Sequence, residues 1–216
     1  MVILKMFLLD KNLWFPNPFF TDDEGLLAIG GDLSIDRLLL AYRNGIFPWF
    51  MDDGDIYWFC PPERMVIIKD EIHVSRSLKK AIRSGKFRLT EDQAFGRVIR
   101  FCAEVHTKKY SSTWINDEFI DAYVALHYAG HAHSVEVWQD KDLVGGIYGV
   151  AVGRLFCGES MFHRVNNASK IALLHLVESE SYSMIDCQVP TPHLLGMGAK
   201  VIGRDEFLDT LKRFSG

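Results

Sequence analysis

Residues 143–162 read Leu143-Val144-Gly145-Gly146-Ile147-Tyr148-Gly149-Val150-Ala151-Val152-Gly153-Arg154-Leu155-Phe156-Cys157-Gly158-Glu159-Ser160-Met161-Phe162. The stretch predicts two β-strands joined by a tight turn at Gly153-Arg154, because both arms are rich in the β-branched and aromatic residues that suit a pleated surface. Five glycines interrupt it, at 145, 146, 149, 153 and 158. Glycine weakens a strand interior, so its repetition points to a bulge or to close approach of a ligand to the backbone. Glu159 and Met161, two apart, are expected to share one strand face. A carboxylate beside a flexible apolar side chain suggests a pocket for a partly apolar, partly polar group. A core hairpin with one edge Glu is the plainer alternative, and both stay open at this point.

The chain has 216 residues, long enough for one large domain or two unequal ones, and its 48% hydrophobic and 12% aromatic content is ample for a core. It contains no run of about 18 apolar residues, so no membrane span is expected. The apolar start, Met1 to Asp10, lacks a basic lead and a small-residue cleavage site and does not read as a signal peptide. Cys60, Cys102, Cys157 and Cys187 are far apart and show neither metal-type spacing nor a disulfide framework. Buried thiols in a reducing cytoplasm are expected. The net charge of −4 gives no whole-molecule attraction to nucleic acid, so any RNA contact must come from a local basic patch.

Residues 1–33 read as irregular and aromatic, since Pro16 and Pro18 exclude a helix interior. Ser34 caps a helix with Ile35, Leu38, Leu39 and Tyr42 on one face and Gly45 as its stop. Pro48 makes Ile46 to Phe50 an extended segment or turn displaying aromatics, either a mini-core or a stacking surface for a ring. Ile56 to Cys60 is a short strand. Pro61-Pro62 marks a boundary, so a small domain over 1–63 and a larger one over 64–216 are expected.

In the larger part, Met65 to Ile68 predicts a strand and Ser75 caps a helix ending at Gly85. On that helix Arg76, Lys79, Lys80 and Arg83 form one basic stripe, extended by Lys86 and Arg88, with no acidic residue from 72 to 90. The unbalanced sign favours phosphate contact over an ordinary solvated face. Strands are expected over 87–90, 133–139 and 183–188. Helices are expected from Thr90 (with Gln93, as a capping box), from Asp117 to Ala129, from Asn167 or Ala168, and over 205–214. A loop ending in Ser111-Ser112-Thr113-Trp114-Ile115-Asn116 is expected before the helix from Asp117. The pattern is α+β, a central mostly antiparallel sheet with helices packed on it.

Asp186 and Gln188, two apart on the strand expected at 183–188, would emerge on one face. The carboxylate could accept an N–H of the Gln amide and fix its carbonyl oxygen as an acceptor for a substrate amine. A structural hydrogen bond at a strand end is the alternative. No Gly-x-Ser-x-Gly elbow, P-loop or dinucleotide fingerprint is present. His131 and His133 lack a third ligand, so no metal is expected.

Several blocks carry a resemblance. Gly30-Gly31-Asp32-Leu33, Ala41 to Trp49, Gly130 to Trp138, Phe156 to Phe162, Asn167-Ala168-Ser169-Lys170 and Ile185-Asp186-Cys187-Gln188 occur in the order found in bacterial leucyl/phenylalanyl-tRNA–protein transferases. The chain resembles that family over nearly its whole length. The resemblance implies transfer of Leu, Phe or sometimes Met from aminoacyl-tRNA to the α-amino group of proteins beginning with Arg or Lys, creating a degradation signal. It also implies a small N-terminal domain before an acetyltransferase-like domain. The coenzyme-A pyrophosphate string of that fold is missing, and no cofactor is expected.

By position, Asp186 and Gln188 resemble the family's catalytic pair. Trp49, Trp114, Tyr123 and Phe156 resemble its aromatic surfaces around the terminal adenosine and aminoacyl group. Ile147, Glu159, Met161 and Leu173 resemble the walls of the aminoacyl pocket, and Arg76, Lys80 and Arg83 the positions holding the tRNA acceptor end. Leu176 and Glu180 stand where the family carries aromatic residues, and Ile147 where Met is common, so the donor preference stays open. Phe156 needs a bulge at Gly158 to face the pocket beside Glu159. The competing classes are a coenzyme-A-dependent N-acetyltransferase and a non-catalytic adaptor for N-terminal Arg or Lys.

Overall fold

The structure, a computed structural model, describes residues 6–50, 54–110 and 113–215. Ser111 and Ser112, in the loop expected before Trp114, lie outside them. The N-terminal part holds strands β1 (Phe7–Leu9) and β2 (Leu26–Gly30), helix α1 (Ile35–Arg43), and strands β3 (Phe47–Phe50) and β4 (Ile56–Phe59). The strands form one sheet in the order β1-β2-β4-β3. Residues up to 33 are thus not wholly irregular. Leu26 to Ile29 is an apolar run too short to show a period, bounded by Gly25 and Gly30 at φ 93 and 86°. Ser34 caps α1 through the N–H of Arg37. Pro48 is tolerated because β3 is an edge strand, paired among the described residues only with β4.

Beyond Pro62 the chain enters a second sheet. Its elements are β5 (Glu63–Ile68), α2 (Arg76–Arg83), β6 (Arg88–Glu91), α3 (Phe95–Tyr110), α4 (Asp117–Tyr128), β7 (Ala132–Gln139), β8 (Asp142–Val152), β9 (Leu155–His163), α5 (Ala168–Glu178), β10 (Met184–Asp186), α6 (Pro192–Leu195), β11 (Lys200–Gly203) and α7 (Arg204–Ser215). The strand order is β11-β5-β10-β9-β8-β7-β6. Every neighbouring pair is antiparallel except β10 with β9. The fold is therefore the α+β arrangement expected, a small N-terminal part followed by a mostly antiparallel sheet flanked by helices.

Three local expectations change. Thr90 does not cap α3, because it is committed to β6. Instead the carboxylate of Glu136 on β7 reaches the backbone N–H groups of Gln93 and Ala94 at 3.4 and 3.3 Å, and also accepts from Thr90 and Ser134. A cap supplied by a neighbouring strand leaves no local sequence signature. The strand expected over 183–188 stops at Asp186. The helix α6 and the edge strand β11 were not expected; the first is a single turn begun by Pro192, the second is mostly exposed.

Helices α3 and α4 cover one face of the large sheet together with α1 and α7, while α5 and α2 lie on the other. The core on the α3 side is continuous with the N-terminal part, joining Leu27, Trp58 and Tyr42 to Phe119, Tyr123 and Tyr148. The core on the α5 side joins Ile147, Phe156, Leu173 and Ile185. Cys60, Cys102 and Cys157 are buried free thiols, and Cys187 is a half-buried one. Among the described residues no helix is long and apolar enough to cross a membrane.

Gly145, Gly146 and Gly149 stand where protein packs close to the backbone. A Cβ at Gly145 would lie 2.5 Å from the Ala168 Cβ, so its absence lets the start of α5 settle on β8. A Cβ at Gly149 would lie 2.1 Å from the Cys157 carbonyl oxygen on β9. Gly149→Ala should therefore push two paired strands apart and destabilise by about 1–3 kcal/mol or more, as overpacking does. Gly203→Ala on β11, where an added Cβ meets nothing within 4 Å, should stay close to wild type in the same chemical-denaturation measurement.

Candidate active site

Strand β9 carries one residue more than its partner. Tyr148 pairs with Ser160 and Gly149 with Gly158, which leaves Glu159 unpaired. This is the bulge expected near Gly158, and it breaks the alternation of side chains. Ser160 turns toward α3, where its hydroxyl lies 3.1 Å from His106 Nε2. Glu159 turns the same way, and Tyr42 of α1 donates to its Oε1 at 2.7 Å. Met161 and Phe156 face the opposite core, under α5. Glu159 and Met161 therefore do not share a face, and the bulge does not bring Phe156 beside Glu159. The extra residue reverses the parity between Glu159 and Met161.

Strand β10 lies between β5 and β9, with Asp186 opposite Val66 on one side and Cys157 on the other. Asp186 is completely buried, and its two oxygens receive Arg64 Nε at 3.1 Å and Nη2 at 2.6 Å. Arg64 Nη1 donates to the Gly45 carbonyl at 2.7 Å, just past α1. The backbone N–H of Gln188 donates to Asp186 Oδ1 at 2.8 Å. Gln188 itself sits at φ 60°, in the left-handed region, so the strand has ended and same-face alternation does not apply. Asp186 was expected to accept the side-chain amide of Gln188, and it accepts the backbone N–H instead. The Gln188 amide Nε2 donates to Glu159 Oε1 at 2.9 Å.

Around this junction stands a run of rings. Trp49 and Trp114, both half-buried, have centroids 5.9 Å apart; Trp114 meets Phe119 edge-on at 5.0 Å, and Phe119 stacks on Tyr123 at 4.2 Å. Tyr123 is fully buried and its hydroxyl meets that of Tyr42, so it supports the site from within rather than forming its surface. Tyr148 is 6.0 Å from Tyr123 and its hydroxyl, like Glu159 Oε2, has no hydrogen-bond partner among the described residues. Burial pushes the Glu159 carboxyl up to about 8, against the hydrogen bond from Tyr42, which lowers it.

The sequence-derived residues thus fall into separate groups. Trp49, Trp114, Tyr123, Glu159, Asp186 and Gln188 gather on the α3 side. Ile147, Phe156 and Leu173 are buried in the α5-side core, with Met161 packed half-exposed against it. Ile147 still approaches the junction from behind, its Cδ1 3.9 Å from where a Gly158 Cβ would stand. Arg76, Lys80 and Arg83 are exposed along α2, and they line one shallow groove with Lys79 and Ser84. Among the described residues none of these four cations forms an ion pair. His133 is held by Asp92 at 2.7 Å. Sequence reasoning missed Arg64 and Tyr42. Tyr42 has helical apolar spacing and reads as core, and Arg64 lies beside a proline boundary with nothing local to mark it.

The Arg64–Asp186 pair yields a direct test. Removing one partner of a buried pair leaves the other uncompensated, so Arg64→Ala should cost about 3–5 kcal/mol in a denaturation experiment. Arg64→Lys, which cannot donate in the same bidentate way, should recover only part of that.

Comparison with known proteins follows the same geography. The family model described as Leucyl/phenylalanyl-tRNA protein transferase matches residues 66–212, and the model of the N-terminal domain of the same family matches residues 31–62. A leucyl/phenylalanyl-tRNA–protein transferase of Syntrophobacter fumaroxidans is 49% identical over 211 residues, covering 96% of this chain and 90% of that protein. Its counterpart in Pectobacterium carotovorum is 51% identical, covering 94% and 88%, and that of Flavobacterium johnsoniae is 47% identical, covering 96% and 99%. Among solved structures, a GCN5-related N-acetyltransferase from Kribbella flavida aligns with a TM-score of 0.36 at 9% identity, covering 76% of this chain and 60% of that one. With a family model spanning most of its large sheet and relatives near half-identical along almost its whole length, the chain belongs to the leucyl/phenylalanyl-tRNA–protein transferase family.

Proposed function

We propose that this enzyme transfers Leu or Phe, and in some contexts Met, from aminoacyl-tRNA to the α-amino group of proteins whose first residue is Arg or Lys, in the cytoplasm. The observation that carries this reading is family membership along nearly the full chain. The four cysteines, all free thiols, suit a reducing compartment. We further propose that residues 1–63 form a small N-terminal domain and 64–216 the catalytic one; the change of sheet between Phe59 and Glu63 supports the division.

The chemistry asks little of an external energy source. The donor is an ester, already activated, and the acceptor α-amine has a pKa of about 7.7–8.0, so a useful fraction is neutral near pH 7. The amine nitrogen attacks the ester carbonyl, the bond to the ribose oxygen breaks, the amine gives up a proton and the ribose oxygen gains one. Juxtaposing two such groups is worth about 7–11 kcal/mol of barrier. Glutamine is a very poor base, so Gln188 is assigned to orient the amine through its carbonyl oxygen. Asp186, ion-paired with Arg64, holds the Gln188 backbone in place. Trp49 and Trp114 offer half-buried aromatic faces at the edge of the junction, suited to stacking on the terminal adenosine.

Two experiments check the reading. Incubation of charged Leu-tRNA or Phe-tRNA with an Arg-N-terminal peptide should add one residue to the peptide by mass, with no change when acetyl-coenzyme A replaces the tRNA. An unaltered peptide would sink the transfer reading. A triple variant, Arg76→Ala with Lys80→Ala and Arg83→Ala, should raise KM for aminoacyl-tRNA and flatten its log–log salt dependence by up to about 0.9 per lost duplex phosphate contact. Aminoacyl-adenosine, which has no acceptor stem, should be used nearly as well as by wild type. Equal loss with both donors would give the stripe a structural role.

A further inference from the structure

We infer that Glu159 is the positioning residue for Gln188, holding its side-chain amide by the N–H so that the carbonyl oxygen is left to receive the acceptor amine. The inference deepens the transfer reading above and rests on it. Asp186 is not available for this task. Both its oxygens are engaged by Arg64, and one also accepts the backbone N–H of Gln188. Two carboxyl groups thus divide the work on one residue: Asp186 places its backbone and Glu159 its side chain.

The geometry is specific. An amide has its nitrogen and oxygen on opposite arms, so fixing one fixes the other. Gln188 Nε2 and the Tyr42 hydroxyl both donate to the same oxygen, Glu159 Oε1, at 2.9 and 2.7 Å. Tyr42 is in turn bonded to Tyr123, so the accepting oxygen is anchored to α1 and α4. Glu159 is only 8% exposed, which restricts its rotation. It shares this face with Cys157, two residues before it, while the β9 bulge turns Met161, two residues after it, under α5.

The protonation state fits. With its carboxyl raised to about 8 by burial, Glu159 is mostly neutral near pH 7. A neutral carboxyl accepts through its carbonyl oxygen as an amide does, so Gln at this position is a close mimic, whereas Met keeps the volume and loses the acceptor. The sign on stability follows. The folded state holds the Glu159 proton more tightly than the unfolded chain, so this group's contribution falls as pH rises from the ordinary 4.5 toward about 8.

The test compares Glu159→Gln and Glu159→Met with wild type under saturating tRNA and peptide. Activity of the wild type tests the transfer reading itself, apart from the role of Glu159. Glu159→Met should lose about a hundredfold in kcat, the scale of a misplaced reacting group, with little change in donor KM. Glu159→Gln should stay within a few fold of wild type. Met turnover near normal, equal losses in both variants, or a loss confined to donor KM would each overturn the role. A cooperative melt shows that each variant is folded, and the melting temperatures of both should lack the decline from pH 5 to 8 that Glu159 gives the wild type. Independently of activity, the side-chain amide signal of Gln188 in a ¹⁵N spectrum should shift and broaden in the Met variant and be retained in the Gln variant. An unchanged signal in the Met variant would overturn the contact.

Discussion

Arg64 leaves β5, crosses to the end of β10, grips both oxygens of Asp186 and reaches on to the carbonyl of Gly45. Its guanidinium lies 4.8 Å from the Phe47 ring centroid and 4.3 Å from that of Phe207. One side chain therefore joins the C-terminal end of α1, the edge of the N-terminal sheet, two central strands and α7. Taking two charges out of water is costly, and the cost is offset only where geometry is good and the remaining donors are satisfied. Here the fork is bidentate, a third nitrogen is satisfied by a carbonyl, and two rings flank the cation. Gly45 completes the arrangement. It stands at φ 72°, and a Cβ there would lie 2.6 Å from Leu208. The N-terminal part is thereby seated on the large sheet at the point where the strand carrying Asp186 ends.

That seating brings α1 to the bulge. Tyr42 is the third-turn residue of a short amphipathic helix, and its hydroxyl donates to Glu159, the residue that β9 inserts opposite Tyr148 and Gly149. Gly149 makes the insertion possible, since its missing Cβ would otherwise collide with the backbone of the bulged strand. The site is thus built from three departures from regular structure: a bulge, a strand that ends at Asp186, and a left-handed Gln188. Each costs some regular pairing, and each redirects a polar group to one junction.

Much of this was legible in the sequence, and the failures share a cause. The hairpin turn at Gly153-Arg154 and the caps at Ser34 and Ser75 are local signals, and the elements they bound appear where expected. Strands β1, β2 and β11 were missed because three to five residues give no period to read. The bulge was anticipated from parity, but its position one residue further on changed which side chains it turned. Pairing Glu159 with Met161, and the Asp186 carboxylate with the Gln188 amide, assumed that period two continues through 158–160 and 186–188. Alternation is a property of a regular strand, and it fails where a strand is interrupted. Arg64 and Tyr42 escaped because their partners are 122 and 117 residues away in sequence.

The two carboxyl groups at the junction show how environment separates roles that sequence alone merges. Asp186 and Glu159 are both buried and both touch Gln188, yet one is matched with a guanidinium and the other with a tyrosine hydroxyl and an amide. Around Glu159, neutral donors in a buried setting leave desolvation dominant and favour the protonated form. The ion pair suits a rigid anchor for the backbone. The neutral carboxyl suits a place beside the reacting amine, because it holds an amide without adding a negative charge that would bind the acceptor ammonium in its unreactive, protonated state. The two settings stay apart because Arg64 reaches Asp186 from β5 while Tyr42 reaches Glu159 from α1, although both carboxyl groups touch Gln188.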